Sequence, residues 1–294
     1  MRVNPNSMSD LLVALNQNKL QSQQASIEVA TGRSVNAPSD NPTASALLVQ
    51  NNDEATFNTS YLKTLGALQN QLSSADAALS SIGTVLQQAV TVGLSGTATL
   101  TDSGRAAIAT QLQGIQAQLI SLANGSYAGN YMFAGTNTNT PPFVVDNTSP
   151  SGVSYVGNTT VNQVSIGSGY TLAVNVPGSQ IFTAPGHDIF LNMSNLITAL
   201  QTNTGISAAV TSLSTASLYV SGQRGFFSNA LTQAASQTTS LNANTTQIGQ
   251  AQVDLAGADF ATAASNLTQA NIGTQATLAA IAKFAANSLF DYIK

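Results

Sequence analysis

Apolar residues recur at seven-residue intervals toward both ends of this chain. Leu65, Leu72, Leu79 and Leu86 fall in one such series, and Leu68, Ala75, Ile82 and Ala89 follow three residues after each. Two apolar positions per heptad make a narrow stripe of period 3.5, the pattern of helices packed along a seam. Gly93 and Gly96 break this stripe, and Ile108, Leu112, Ile115, Leu119 and Leu122 begin another, so the two segments read as an antiparallel helical hairpin. Later, Leu213, Val220, Phe227, Ala234, Leu241, Ile248 and Leu255 occupy successive heptad positions. No proline interrupts 186–294, which predicts one helix of great length or two nearly collinear ones. The final stretch carries Phe260, Leu267, Thr274 and Ile281, with Ala264, Leu278 and Ala285 four residues after three of them. A first helix over roughly 7–30 is marked by Met8, Leu11, Leu12, Leu15, Leu20 and Ile27, with a thin stripe and weak caps.

The middle of the chain has another rhythm. Pro141, Pro142, Pro150, Pro177 and Pro185 lie here, and Val153/Tyr155, Val164/Ile166 and Leu172/Val174/Val176 alternate with polar residues as half-buried strands do. Gly152, Gly157, Gly167, Gly169 and Gly178 punctuate them. The expected fold is mainly α with a β-rich insertion, its long N- and C-terminal helices packed as a coiled-coil-like bundle. The expected domains are nested: 1–45 with 250–294 as a terminal helical assembly domain, 46–125 with 195–249 as an inner helical bundle, and 126–194 as a β-rich outer domain. Neither terminal helix has a full core of its own, so each needs the other, or a neighbouring subunit, to bury its stripe.

Composition narrows the function. Only 7% of residues are charged, against about 25% in ordinary soluble proteins. A surface rich in amides and hydroxyls loses little solvation when it packs against another protein, and it lacks the self-repulsion that separates crowded monomers. The net charge is -4, and the eight basic residues are scattered, so no basic stripe exists to follow a phosphate backbone. Nucleic acid is therefore not an expected partner. The chain has no cysteine, which excludes disulfides, thiolate nucleophiles and Cys-ligated metals. No apolar signal segment follows Met1, and the nearly apolar run 278–282 stops at Lys283, far short of a span of about 20 residues. Membrane insertion is not expected.

The run Thr31-Gly32-Arg33-Ser34-Val35-Asn36-Ala37-Pro38-Ser39-Asp40-Asn41-Pro42 resembles the turn after the first helix in the flagellin family, and its Ser-Asp-x-Pro ending is similar to the hook-filament junction proteins of that family. Gly129-Asn130-Tyr131-Met132-Phe133-Ala134-Gly135-Thr136, leading to Pro141-Pro142-Phe143, resembles the junction family's passage into its β domain. Tyr155-Val156-Gly157-Asn158, Pro177-Gly178-Ser179-Gln180-Ile181-Phe182 and the terminal Ser288-Leu289-Phe290-Asp291-Tyr292-Ile293 fit the same pattern. The resemblance implies export without a cleaved signal peptide, an extracellular place in the flagellum, and a ring of copies between a hook-side junction protein and flagellin. An export chaperone is a further implied partner.

The terminal stripes point to a subunit interface through Leu11, Leu12, Leu15, Phe260, Leu267, Leu278, Ile281, Leu289 and Phe290. Gly32, Arg33, Asp40 and Pro42 of the turn join them, although local roles compete: Gly32 as a positive-φ helix end, Asp40 as a helix N-cap with Pro42 in the first turn, and Arg33 with Asp40 as an ion pair. Chemistry has little footing. His187-Asp188 has no nucleophile beside it, Asp53-Glu54 reads as an acidic turn of helix, and Gly167-Ser168-Gly169 lacks the rest of a phosphate loop. No catalytic, metal or cofactor site is expected. The alternatives to a junction subunit are bulk flagellin and a secreted adhesin or type III translocator whose β domain engages a ligand. An enzyme centred on His187 comes last.

Overall fold

The structure is a computed structural model that describes residues 7–290, with side chains through Phe284. In chain order the elements are α1 (Ser7–Thr31), α2 (Pro42–Ser95), α3 (Asp102–Ala123), β1 (Ser126–Tyr127), β2 (Asn130–Tyr131), β3 (Phe143–Val145), β4 (Val153–Tyr155), β5 (Gln163–Gly167), β6 (Tyr170–Ala173), α4 (Gly178–Ile181), α5 (Ile189–Thr202), α6 (Ile206–Ala256) and α7 (Phe260–Phe290). The fold is mainly α, with long helices toward both ends and small sheets between them. Its contacts divide it into two units, one formed by residues up to Phe57 and from Ala243 onward, the other by Asn58–Asn242.

In the second unit the heptad stripe of α2 is the core: Leu65, Leu72, Leu79, Ile82 and Leu86 are wholly buried. Leu112 and Leu119 of α3 and Leu213, Val220, Phe227 and Ala234 of α6 close over them. Among the described residues α2 has the length and hydropathy of a membrane span, yet Leu65, Leu68, Leu72, Leu79 and Leu86 are buried in the core of the unit. Polar pairs fix the register of α2 against α6. Arg224 holds Asp76 with two parallel hydrogen bonds of 2.8 Å, Gln69 donates to Thr238 at 3.4 Å, and Gln87 donates to Ser217 at 3.2 Å. Such a two-pronged pair specifies position more than it stabilises, because the pair is partly exposed.

Two sequence expectations change here. Gly93 does not break α2; it lies inside the helix, where an added Cβ would come within 2.8 Å of Leu196. Its role is to let α5 approach closely. Among the described residues, the proline-free stretch from 186 onward holds three helices rather than one or two. α5 starts at Asp188, whose carboxylate accepts from the Leu191 N–H at 2.9 Å, and ends at Asn203 in a left-handed conformation, two residues before Gly205. Asn and Gly tolerate that conformation and end a helix without proline. α6 stops in turn at Gly257, whose N–H turns back to Val253.

The region 126–188 is less a sheet than a set of anchored loops. Three separate antiparallel pairs form, β1–β2, β3–β4 and β5–β6. β1–β2 turns through Ala128 (φ 49°) and Gly129 (φ 84°), the left-handed pair that suits a two-residue hairpin; alanine there costs about 1–2 kcal/mol. Side-chain amides do most of the tying. Asn124 donates to the Phe143 carbonyl at 2.7 Å and accepts its N–H at 2.9 Å. Buried Asn175 accepts from Asn162 N–H at 2.6 Å and donates to the carbonyls of Gly135 and Thr160. This region shares one apolar core with the inner helices. At its centre Phe143 meets Tyr155, Phe182 and Phe190 at ring distances of 5.1, 5.6 and 5.3 Å.

Candidate functional site: the paired terminal helices and their turn

The first unit is built on a different economy of side chains. α1 and α7 pack along a seam whose buried residues are small: Ala25 from α1, and Ala263, Ala270 and Thr277 from α7. The three α7 positions are seven apart, so a heptad register exists, but alanine and threonine occupy it. Polar side chains bridge the seam. Asn18 donates to the Thr277 hydroxyl at 3.3 Å, and the Ser22 hydroxyl donates to Asn271 at 2.9 Å. Gly273 sits where a Cβ would crowd the Asn18 amide at 3.0 Å.

Large apolar residues are mostly left outside. Leu12 is 53% exposed, Leu20 65%, Phe260 63% and Leu278 49%, with Val13, Ile27, Ile272 and Phe284 similarly placed. Leu11, Leu15, Leu267 and Ile281 are half-buried along the seam. The expected interface residues thus separate into two sets: Leu12, Phe260 and Leu278 face outward, and Leu11, Leu15, Leu267 and Ile281 flank the helix pair. The side chains of Leu289 and Phe290 lie outside the described residues.

The turn after α1 is a second, tightly bonded element. Gly32 adopts φ +67° and its N–H returns to Glu28 at 2.8 Å, closing the helix. Arg33 then forms an antiparallel bridge with Gly257. On either side Ser34 N–H bonds the Ala256 carbonyl at 2.7 Å and Ala258 N–H bonds the Gly32 carbonyl at 3.0 Å. The turn is therefore stitched to the break between α6 and α7. Val35, Ala44 and Ala256 form a small apolar cluster beneath it, with Leu48 and Leu255 against them. Beside the stitch lies an open cleft of about 530 Å³ lined by Gly32, Arg33, Val49, Asn52, Gln252 and Val253.

Asp40 does not cap α2. Asn41 does, accepting from the Ala44 N–H at 3.0 Å, because Pro42 is the first helical residue and the cap is the residue before it. Nor does Asp40 pair with Arg33; the ion pairs among the described residues are Arg105–Asp102 and Arg224–Asp76. Its carboxylate instead accepts the N–H groups of Ala37 at 2.8 Å and Asn36 at 3.0 Å, and these bonds hold it below the usual carboxylate range. The sign follows from that lowering. The folded pKa lies below the unfolded value of about 3.9, so the bonds contribute in full above that value and are lost as pH falls through the lowered one. Asp40→Ala is expected to speed amide hydrogen exchange at Asn36 and Ala37 several-fold at neutral pH. In the unaltered chain the same acceleration should appear only at pH below the ordinary carboxylate range. Unchanged exchange in the variant would mean the loop is held by its stitch alone.

Sequence reasoning missed Asn18, Ser22, Asn271, Gly273 and Thr277 of the seam. It also missed Asp259, which starts α7 by accepting from Ala261 at 2.9 Å and Thr262 at 3.3 Å. The signal for Asp259 was an Asp immediately before a long apolar-periodic segment. His187, the remaining chemical candidate, stacks flat on Tyr219 with ring centroids 4.5 Å apart, and Asp188 is occupied as the α5 cap. Burial raises the Asp188 carboxyl above the ordinary range, opposed by its backbone hydrogen bonds.

The bacterial flagellin N-terminal helical region matches residues 3–138, and the flagellin C-terminal helical region matches 204–293. Flagellar hook-associated protein 3 of Escherichia coli is 27% identical over 91% of each chain. The protein of that name in Salmonella typhimurium is 33% identical over 159 residues, which is 53% of this chain and about half (49%) of the relative's length. Solved structures agree on the fold. A putative flagellar hook-associated protein from Vibrio parahaemolyticus has a TM-score of 0.59 at 22% identity, covering 74% of this chain and 97% of that one. A flagellar junction protein from Legionella pneumophila has a TM-score of 0.52 at 13% identity, covering 60% of this chain and 95% of that one. Both helical regions of flagellin are matched in order, one on each side of the chain's middle, and the chain belongs to the flagellin family.

Proposed function

We propose that this chain is a structural subunit of the bacterial flagellum that joins hook to filament, and that the folding of its terminal helices is completed by assembly. One observation carries the mechanism: the residues buried in the α1–α7 seam are small or polar, while most of the large apolar side chains of both helices face outward. An isolated pair of this kind gains little from burial, since apolar area removed from water contributes about 25 cal/mol per Å² and most of that area is still in water. Neighbouring copies would supply the missing cover, so each added subunit stabilises the helices of the last. The low charge of the chain lets these faces meet without repulsion.

The expected partners are further copies in a ring, a hook-side junction protein on one side and flagellin on the other. An export chaperone would cover the same apolar residues before assembly, and export would proceed without a cleaved signal peptide. The role requires no catalysis. The test is a strain whose chain ends before Leu278. Cells should keep hooks, lose filaments and release flagellin into the medium. Normal filaments on that strain would remove the assembly reading and favour an adhesin.

A further inference from the structure

The second unit contains a cavity of about 340 Å³ where α2, the β1–β2 hairpin and the segments on either side of the β5–β6 pair meet. Its lining includes Gln71 of α2, Tyr127, Asn130 and Tyr131 of the hairpin, and Asn162 and Asn175. No Asp, Glu, Lys, Arg or His lines it. The volume lies at the small end of ligand sites, which run from about 300 to 1,000 Å³.

The walls are held, and the polar groups within them are not all used. Asn175 is buried and fully engaged, joining Asn162, Gly135 and Thr160 through three hydrogen bonds. Thr138 fastens the hairpin by donating its hydroxyl to Asn130 at 3.1 Å and accepting the Tyr131 N–H on its carbonyl at 2.9 Å. By contrast, the side-chain amides of Gln71 and Asn162 and the hydroxyls of Tyr127 and Tyr131 have no hydrogen-bond partner among the described residues. A rigid frame thus presents two amides and two phenols to solvent, each able to donate and to accept.

That set has a definite chemical complement. A charged ligand would meet no counter-charge here, and an apolar one would strip water from amides without replacing it. An extended peptide needs a free strand edge or an apolar groove, and the hairpin strands at this wall are two residues long. An uncharged polyhydroxylated ring fits both demands, because its hydroxyls donate and accept in turn while its C–H faces pack on tyrosine. We propose that this cavity binds a neutral saccharide, a recognition activity separate from the assembly role of the first unit.

The test is titration of the full chain with lactose, maltose, cellobiose and di-N-acetylchitobiose, followed by calorimetry and by amide NMR shifts, with a sialylated and a uronic-acid disaccharide as charged controls. At least one neutral sugar should bind saturably with Kd of roughly 1 mM or tighter, and the charged controls no better. Gln71→Ala and Asn162→Ala should each weaken binding about tenfold with the melting transition unchanged; Gln233→Ala, in a different groove of the unit, should have no effect. The proposal is overturned if none of these sugars saturates by about 20 mM, if the Gln71 and Asn162 variants bind as the parent does, or if a peptide library selects this cavity instead.

Discussion

Phe143→Ala is expected to lower the stability of the Asn58–Asn242 unit by about 3–5 kcal/mol, read as a shift of the denaturation midpoint followed by circular dichroism. Phe143 is 1% exposed and its ring meets three other aromatic rings, from β4, α5 and the residue that ends α4. The cost depends on whether the surroundings can collapse into the space, and here they are fixed. Asn124 grips the Phe143 backbone by both its N–H and its carbonyl. Gly178 lies so close that a Cβ on it would stand 2.8 Å from the Phe143 ring, so that backbone is already at the wall. Tyr155 is held by hydroxyl bonds to the carbonyls of Asn158 at 2.8 Å and Phe133 at 3.1 Å. With each neighbour anchored, the truncated site should keep most of its cavity. Val145→Ala, two residues away on an exposed position of the same strand, should change stability by less than about 0.5 kcal/mol. A loss below about 1 kcal/mol for Phe143→Ala would mean the loops repack freely and the aromatic cluster is not the keystone of the region.

Much of the helical framework was legible because large apolar residues marked it. Leu65, Leu72, Leu79 and Leu86 are all wholly buried, and of the later series only Leu255 is left half-buried. The same habit of reading misplaced the seam of α1 and α7. Phe260, Leu267, Thr274 and Ile281 looked like its register, whereas Ala263, Ala270 and Thr277 are what the seam buries. Small residues let two helices approach closely and carry little weight in a hydrophobic pattern. The Asp40 assignment failed for a simpler reason: proline in first place fixes the cap one residue earlier, at Asn41, and both residue types can cap. The anchored loops were the least legible part. Their order comes from Asn124, Asn158 and Asn175 reaching backbone groups many residues away, and such bonds leave no periodic trace. Asn203-Thr204-Gly205 could have announced the end of α5 had glycine been weighed as heavily as proline.

The paired substitution Phe260→Glu with Leu278→Glu is expected to abolish assembly while leaving the monomer folded. Both side chains are about half or more exposed and contribute little to the α1–α7 seam, so helicity and the melting transition of the purified chain should move by no more than about 0.5 kcal/mol per site. In an assembled contact the arithmetic reverses. Burying a phenylalanine or leucine contributes about 1.5–3 kcal/mol, and an unpaired carboxylate in its place opposes burial by several kcal/mol. In the proposed assembly the change would recur at every equivalent contact between copies, so a modest local difference would become a large one. Cells carrying the double variant should export the chain, bear hooks without filaments, and shed flagellin. Ala270→Glu supplies the contrast. It places a carboxylate in the buried seam, and it should disorder the helix pair itself, with helicity lost in the isolated chain as well as assembly lost in the cell. Should the double variant build filaments normally while Ala270→Glu fails, the exposed face is not the contact surface, and the two terminal helices act only as a pair.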